Sequence, residues 1–262
     1  MKKIFSRTYL AIILAFMYLP IATLIIFSFN ESKNMAVWTG FSFKWYEELF
    51  ADPVIGQVVF VTISIAVLAA VASTAIGTLA AIGIDSYRKK TKNVILNFTY
   101  IPVINAEIVT GISLLLLFIF IGMPRGYWTM LLAHITFNIP YVILSVLPKL
   151  SQMDMQTYEA ALDMGAKPSY AVRKVVVPQI MPGIFSGMIL AFTMSFDDFV
   201  ISFFTTQGTT QNLSVYIYSM ARMGINPKIN ALSAIMFVII ITLLLVVNIN
   251  TVKRSRKATE MR

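Results

Sequence analysis

The chain has 262 residues, of which 58% are hydrophobic and 13% charged, with a mean hydropathy of +0.77. A soluble domain carries about twice that charged fraction, so a water-soluble fold is excluded and most of the chain has lipid as its solvent. The absence of cysteine excludes disulfides, zinc–thiolate sites and cysteine nucleophiles, and the single histidine, His134, excludes an HExxH metal site. The net charge of +9 does not point to nucleic acid, because the basic residues sit in short segments between apolar runs, where they report membrane orientation.

Six apolar spans follow one another, about Tyr9–Phe29, Val58–Ile84, Ile95–Ile121, Tyr127–Leu147, Gly183–Phe204 and Asn230–Ile249. Each has about 20 residues or more, enough at roughly 1.5 Å per residue to cross a hydrocarbon core of about 30 Å. The fold class expected is therefore all-α integral membrane. Lys2, Lys3 and Arg7 precede the first span as in a signal peptide. Its apolar core is too long and lacks a small-residue cleavage site, so it is read as a retained helix. The second span carries Ala69, Ser73, Gly77 and Ala81 at four-residue spacing, a stripe that lets helix backbones approach closely. The third is interrupted early by Pro102, and the fourth contains His134, suited to an interhelical hydrogen bond.

Sixteen Lys and Arg residues fall in the N-terminus, the second-to-third and fourth-to-fifth connections and the tail, against five on the other side. The positive-inside rule places both termini in the cytoplasm, as an even number of spans requires. The tail, residues 251–262, is a basic cytoplasmic segment.

The connection at 151–182, "SQMDMQTYEAALDMGAKPSYAVRKVVVPQIMP", is patterned rather than linker-like. Ser151 followed by Asp154 is a capping signal, and Met155, Tyr158, Ala161, Leu162 and Gly165 form the stripe of a short amphipathic helix. Gly165 suits a C′ position. Pro168 can open a second helix with Val172, Val175 and Val176 on its apolar face, until Pro178 ends or kinks it.

Within this hairpin, "EAALDMGAKPSYAVRKVVVP" resembles the EAA loop of the ABC-importer permeases, whose pattern is EAA, three residues, Gly, nine residues and I-x-L-P. Glu159, Ala160, Ala161, Gly165 and Pro178 stand at the expected places, with Val175 and Val177 for the usual Ile and Leu. "SFN" at 28–30, "FSFKWY" at 41–46, "HITFNIPYVI" at 134–143 and "SFDDFVIS" at 195–202 extend the likeness over the whole chain, to the polyamine permeases of that family. The resemblance implies a six-helix, MetI-like type I permease domain in the cell membrane, with the EAA hairpin docking on a cytoplasmic ATPase. It implies as partners an ABC ATPase homodimer that binds ATP and Mg, a second homologous permease subunit and an extracytoplasmic polyamine-binding protein. The chain has no GxxxxGK[ST] phosphate loop, so ATP hydrolysis by that route, and any cofactor, belongs to a partner.

Three acids lie inside apolar spans, Glu107, Asp197 and Asp198, with no Lys or Arg deep in any span to pair with them. A charged carboxylate at mid-membrane costs roughly 2.5–3.5 kcal/mol, which marks such residues as functional candidates. Gly187, Ala191, Ser195, Asp198 and Ser202 share one face of the fifth span, while Asp197 is turned by about 100° and aligns with Thr193. Ser195 could cap a helix restart by accepting from the Asp198 amide, so a break is expected nearby. Glu107 shares a face with Thr110, Gly111 and Leu114. The acids are either structural or line a cation pathway, for which a polyamine is the natural passenger. Catalysis is set aside, since neither GxGD nor a second acidic cluster is present. Trp45 is either a cation–π contact for ammonium groups or part of an interfacial aromatic belt. The runner-up keeps the permease class with another small cation, organic or metallic, as cargo; a proton-coupled secondary transporter using Glu107 or Asp198 is a further class, and it leaves the hairpin unexplained.

Overall fold

The computed structural model describes residues 2–33, 37–208, 210–224, 227–239 and 241–242. Among them the chain is helical, in two compact units: residues 1–56 with 217–262, and residues 57–216.

The first unit begins with α1 (Lys2–Phe27), whose Arg7–Phe27 stretch is long and apolar enough to cross a membrane. Beyond it Asn30 closes the following loop with its side chain: Nδ2 donates to the Val37 carbonyl at 2.9 Å and Oδ1 accepts from the Thr39 amide at 2.9 Å. Against this turn packs α2 (Lys44–Phe50), whose Trp45 donates its indole N–H to the Asn30 carbonyl at 2.6 Å. The short α12 (Pro227–Ile239) also belongs to this unit. The expected sixth span, Asn230–Ile249, lies partly outside the described residues, and the basic tail wholly so.

The second unit is built on α3 (Pro53–Asp85), α6 (Tyr127–Ser151) and the rod Pro168–Phe196, all long and apolar enough to span a membrane. In lipid no hydrophobic effect drives helices together, so contact depends on backbones meeting closely at small residues. The stripe on α3 does this: Ala69, Ser73 and Ala81 are fully buried, and a Cβ on Gly77 would lie 2.8 Å from Val142 Cβ and Cγ1 of α6. Gly183 and Gly187 bring the rod onto α6 in the same way, against Lys149 and Ser145 and against Val142 respectively.

Two expectations need correction. The third span is not one helix: α4 (Lys89–Ile104) and α5 (Glu107–Phe120) meet at a bend of 100°. Pro102 is absorbed inside α4, and the break comes at Asn105 and Ala106, both extended, where the Asn105 side chain accepts from the next backbone amide at 3.1 Å. A short amide side chain competes in this way with the helical ladder.

Pro178 does not end its helix. The rod runs as α8 (Pro168–Ala171), a π turn (Val172–Val176) and α9 (Val177–Phe196), and the Val177 amide donates to the Val172 carbonyl. Widening the turn just before a proline relieves the clash of its ring with the carbonyl four residues back. The second arm of the expected hairpin is thus the first part of the fifth span.

The hairpin's first arm, α7 (Met155–Asp163), starts at Asp154, whose carboxylate accepts from the Gln156 amide at 2.9 Å. It ends in a Schellman motif: the Gly165 amide donates to Leu162 O at 2.8 Å, the Ala166 amide to Ala161 O at 3.1 Å, and Gly165 has φ +87°. Tyr158 and Val172 turn inward and pack against the core formed by α3, α6 and the rod.

Candidate functional site

The fifth span breaks where its acids stand. α9 stops at Phe196, residues 197–199 are not helical, and α10 (Val200–Thr205) restarts. The expected break is present, but its capping residue is a different one. Asp198 caps the restart, with Oδ2 accepting from the Ser202 amide at 2.8 Å and Oδ1 from the Ile201 amide at 3.3 Å. Ser195 instead accepts from the Asn138 side chain at 2.7 Å. A carboxylate answers the amides at a helix N-terminus better than a hydroxyl, because charge and dipole act together.

Around this cap lies a buried polar cluster. His134 Nε2 is 3.5 Å from Asp198 Oδ2 and 3.0 Å from Ser202 Oγ. Asn212, the residue before α11 (Leu213–Arg222), donates through Nδ2 to the Asp198 carbonyl at 2.7 Å and to Ser202 Oγ at 2.8 Å. Asn138 also reaches the Ala191 carbonyl at 3.3 Å. The side chains of His134, Asn138, Ser202 and Asn212 are at most 1% exposed, and Asp198 is 8% exposed. Sequence reading singled out His134 but missed Asn138 and Asn212. The only signal was a lone Asn within an apolar run, "TFNIPY", and a second just before a helix pattern, "QNLSVY".

The two neighbouring aspartates therefore occupy unlike environments. Asp198 points inward and is consumed by capping. Asp197 is exposed, and its backbone carbonyl accepts from Ser214 Oγ at 3.1 Å. Glu107 is also exposed, in the first turn of α5 just after the 100° break. Each exposed acid thus sits at an interruption of a membrane helix, where unsatisfied backbone groups add polarity. The two breaks are linked by packing, since a Cβ on Gly111, one turn beyond Glu107, would lie 2.9 Å from the Phe204 ring of α10. Trp45 belongs to the other unit. It is 1% exposed, with its N–H bonded to the Asn30 carbonyl and Lys44 Nζ 5.3 Å from its ring centroid, and it lines a cavity together with Lys33, Glu48 and Lys228.

Of the EAA residues, Glu159, Ala160, Gly165 and Pro178 are exposed and Ala161 is half-buried. Met164 (84% exposed) and Tyr170 (60%) flank them as uncovered apolar side chains. Among the described residues no three His, Asp or Glu side chains gather as metal ligands.

The sequence pattern of the family described as "Binding-protein-dependent transport system inner membrane component" matches residues 73–252. The chain is 35% identical to the spermidine/putrescine transport system permease protein PotC of Haemophilus influenzae, over 97% of this chain and 100% of that protein. It is 40% identical to the putrescine transport system permease protein PotI of Escherichia coli K12, over 84% of this chain and 81% of that protein. Among solved structures it resembles a bacterial ABC transporter involved in alginate import, with a TM-score of 0.73 at 18% identity, covering 96% of this chain and 94% of that one. It also resembles the inward-facing methionine ABC transporter MetNI, with a TM-score of 0.61 at 16% identity, covering 75% of this chain and 94% of that one. These two likenesses concern the fold alone. The chain belongs to the inner membrane components of binding-protein-dependent transport systems, and is an ABC-importer permease, a transport subunit rather than an enzyme.

Proposed function

We propose that this permease forms half of the translocation pathway of an ATP-driven polyamine importer. The observation that carries the reading is identity of 35–40% across at least 81% of the length of permeases named for spermidine and putrescine. The site chemistry supports it. Glu107 and Asp197 offer exposed carboxylates at two helix breaks, with no Lys or Arg deep in the spans to neutralise them. A translocating polycation supplies that counter-charge transiently, strongly in a dry site and weakly once water enters. Asp198 serves the pathway as the cap that fixes the break, and Trp45 remains a candidate cation–π contact for ammonium groups, with the interfacial aromatic belt as its other reading.

The partners are an ABC ATPase homodimer carrying ATP and Mg, a second homologous permease and an extracytoplasmic polyamine-binding protein. Six spans with both termini cytoplasmic agree with the sixteen-to-five distribution of Lys and Arg. On that orientation α7 faces the ATPase, with Glu159, Ala160 and Ala161 on the docking helix, Gly165 as its terminator and Pro178 at the start of the span it moves. A cysteine introduced at Met164, in a chain that has none, is expected to react with an impermeant maleimide only when the cytoplasmic face is open. Labelling of intact cells from outside would reverse the topology.

The test of function is uptake of labelled spermidine by cells lacking this gene and supplied with wild type or Gly165→Ala. Wild type is expected to restore uptake that vanishes without the ATPase and survives an uncoupler. At Gly165 an added Cβ meets nothing within 4 Å, so Gly165→Ala costs only the strain of a positive φ, roughly 1–2 kcal/mol. That strain shifts the end of α7, and hydrolysis is expected to continue while uptake falls. Uptake indifferent to the ATPase would overturn the importer reading. Normal coupling in Gly165→Ala would remove α7 from the transmission path.

A further inference from the structure

The three residues that follow the loop after α10 hold the break in the fifth span from outside. Asn212 donates to the Asp198 carbonyl and the Ser202 hydroxyl, at 2.7 and 2.8 Å. Ser214 donates to the Asp197 carbonyl at 3.1 Å, and the Leu213 amide is fixed to Thr62 Oγ1 of α3 at 2.8 Å. A helix end leaves its last carbonyls without intrahelical donors, and here two of the carbonyls beyond α9 are answered by this one short strap. With both carbonyls held, the 197–199 link has one conformation, in which Asp198 is turned into the polar cluster and Asp197 is left exposed. Asn212 has a second, separable task. Its Oδ1 accepts from the Val215 amide at 3.0 Å, capping α11 from the N-cap position. One side chain, 1% exposed, thus joins the start of α11 to the acid-bearing break.

We propose that Asn212 is a positioning residue for transport: by clamping the Asp198 carbonyl and the Ser202 hydroxyl it holds the 197–199 link in the form that presents the Asp197 carboxylate to the passing cation. The inference rests on the pathway reading above. Asn212 touches no cargo and acts through Asp197.

Asn212→Ser separates the two tasks, because a serine hydroxyl still caps α11 but is too short to reach both partners of the clamp. Spermidine uptake by the complete transporter in cells is measured against concentration, with rates normalised to membrane level. Asn212→Ser is expected to lower Vmax about five- to tenfold, the effect of one neutral hydrogen bond, with KM unchanged because the binding protein meets the cargo first. In an Asp197→Asn background the same substitution is expected to change Vmax less than about twofold, since the group it positions is gone. A merely structural role would multiply equally in both backgrounds, and that result would overturn the proposal. If Asn212→Ser reaches the membrane poorly, Asn212→Thr, which also keeps a capping hydroxyl and is too short to reach both partners, is put through the same cycle. Normal transport by Asp197→Asn would sink the pathway reading and this role together. An impaired Asp197→Asn beside a normal Asn212→Ser would sink the clamp alone.

Discussion

Asp198→Ala is expected to destabilise the protein, whereas Asp197→Asn, one residue away, leaves stability unchanged and impairs transport. Asp198 accepts from the amides of Ile201 and Ser202 at 8% exposure. Alanine removes the cap and leaves two amides unanswered away from water, and His134 loses the carboxylate 3.5 Å from its Nε2. A lost cap with unsatisfied donors costs about 2–4 kcal/mol, which lowers the thermal midpoint by on the order of 5–10 °C. Asn in place of Asp198 keeps one acceptor oxygen and is expected to fall between. Asp197 makes no such capping contacts, and replacing an exposed carboxylate by an amide changes stability by less than about 0.5 kcal/mol. Its effect falls on transport, where loss of a charged contact to an ammonium group is worth about ten- to a hundredfold in rate. Intrinsic tryptophan fluorescence on heating in detergent, run beside spermidine uptake, reads both quantities. If Asp198→Ala melts like wild type and Asp197→Asn unfolds early, the inward and outward assignments of the two acids are wrong.

This division of labour was only half legible in the sequence. The face Gly187, Ala191, Ser195, Asp198 and Ser202 is set by helical periodicity, and all five positions are buried. Periodicity therefore put Asp198 on a face that meets another helix or an aqueous cavity, without deciding which of the two acids faces the pathway. It could not identify the cap, because a cap depends on where the chain leaves the helix, and Ser195 and Asp198 both fit the residue preferences. The clamp by Asn212 was out of reach for a different reason. It joins residues 10 and 14 apart across a loop, and no local pattern encodes that closure.

The same distinction explains the two helices read wrongly. Hydropathy sees that residues 95–121 are mostly apolar but is blind to the Asn105–Ala106 bend, since a broken span and a straight one have equal composition. Pro178 was read as ending or kinking its helix because proline removes a donor. The chain answers with a wider π turn, a solution that lies in the preceding five residues rather than in the proline itself. Gly165 was legible because a glycine after an amphipathic stripe has one ordinary explanation, and its φ of +87° is that explanation. The signals that survived were thus periodicity and turn chemistry, and the losses were contacts made across the fold and, at Asn105–Ala106 and the π turn, local backbone choices that composition does not record.

The small-residue stripe on α3 gives a second contrast within one helix. Gly77→Leu is expected to abolish folding, Gly77→Ala to weaken it, and Gly83→Ala to strengthen it slightly. A Cβ on Gly77 would stand 2.8 Å from Val142 Cβ and Cγ1 and 3.2 Å from the Ile139 carbonyl. Val142 is fully buried and is also in tight contact with Gly187, whose added Cβ would lie 3.3 Å from its Cα and Cγ1, so it has little room to retreat. Overpacking of this kind costs about 1–3 kcal/mol for one methyl, only partly offset by the roughly 1 kcal/mol by which alanine exceeds glycine in helix propensity. Leucine adds three more carbons to the same gap and separates α3 from α6. Gly83, six residues on, would place its Cβ in open space, so alanine there gains propensity without a clash. Membrane yield and thermal midpoint of the three variants decide the matter. Equal stability of Gly77→Ala and Gly83→Ala would mean that α3 and α6 are not in backbone contact, and that the stripe has no part in holding the second unit together.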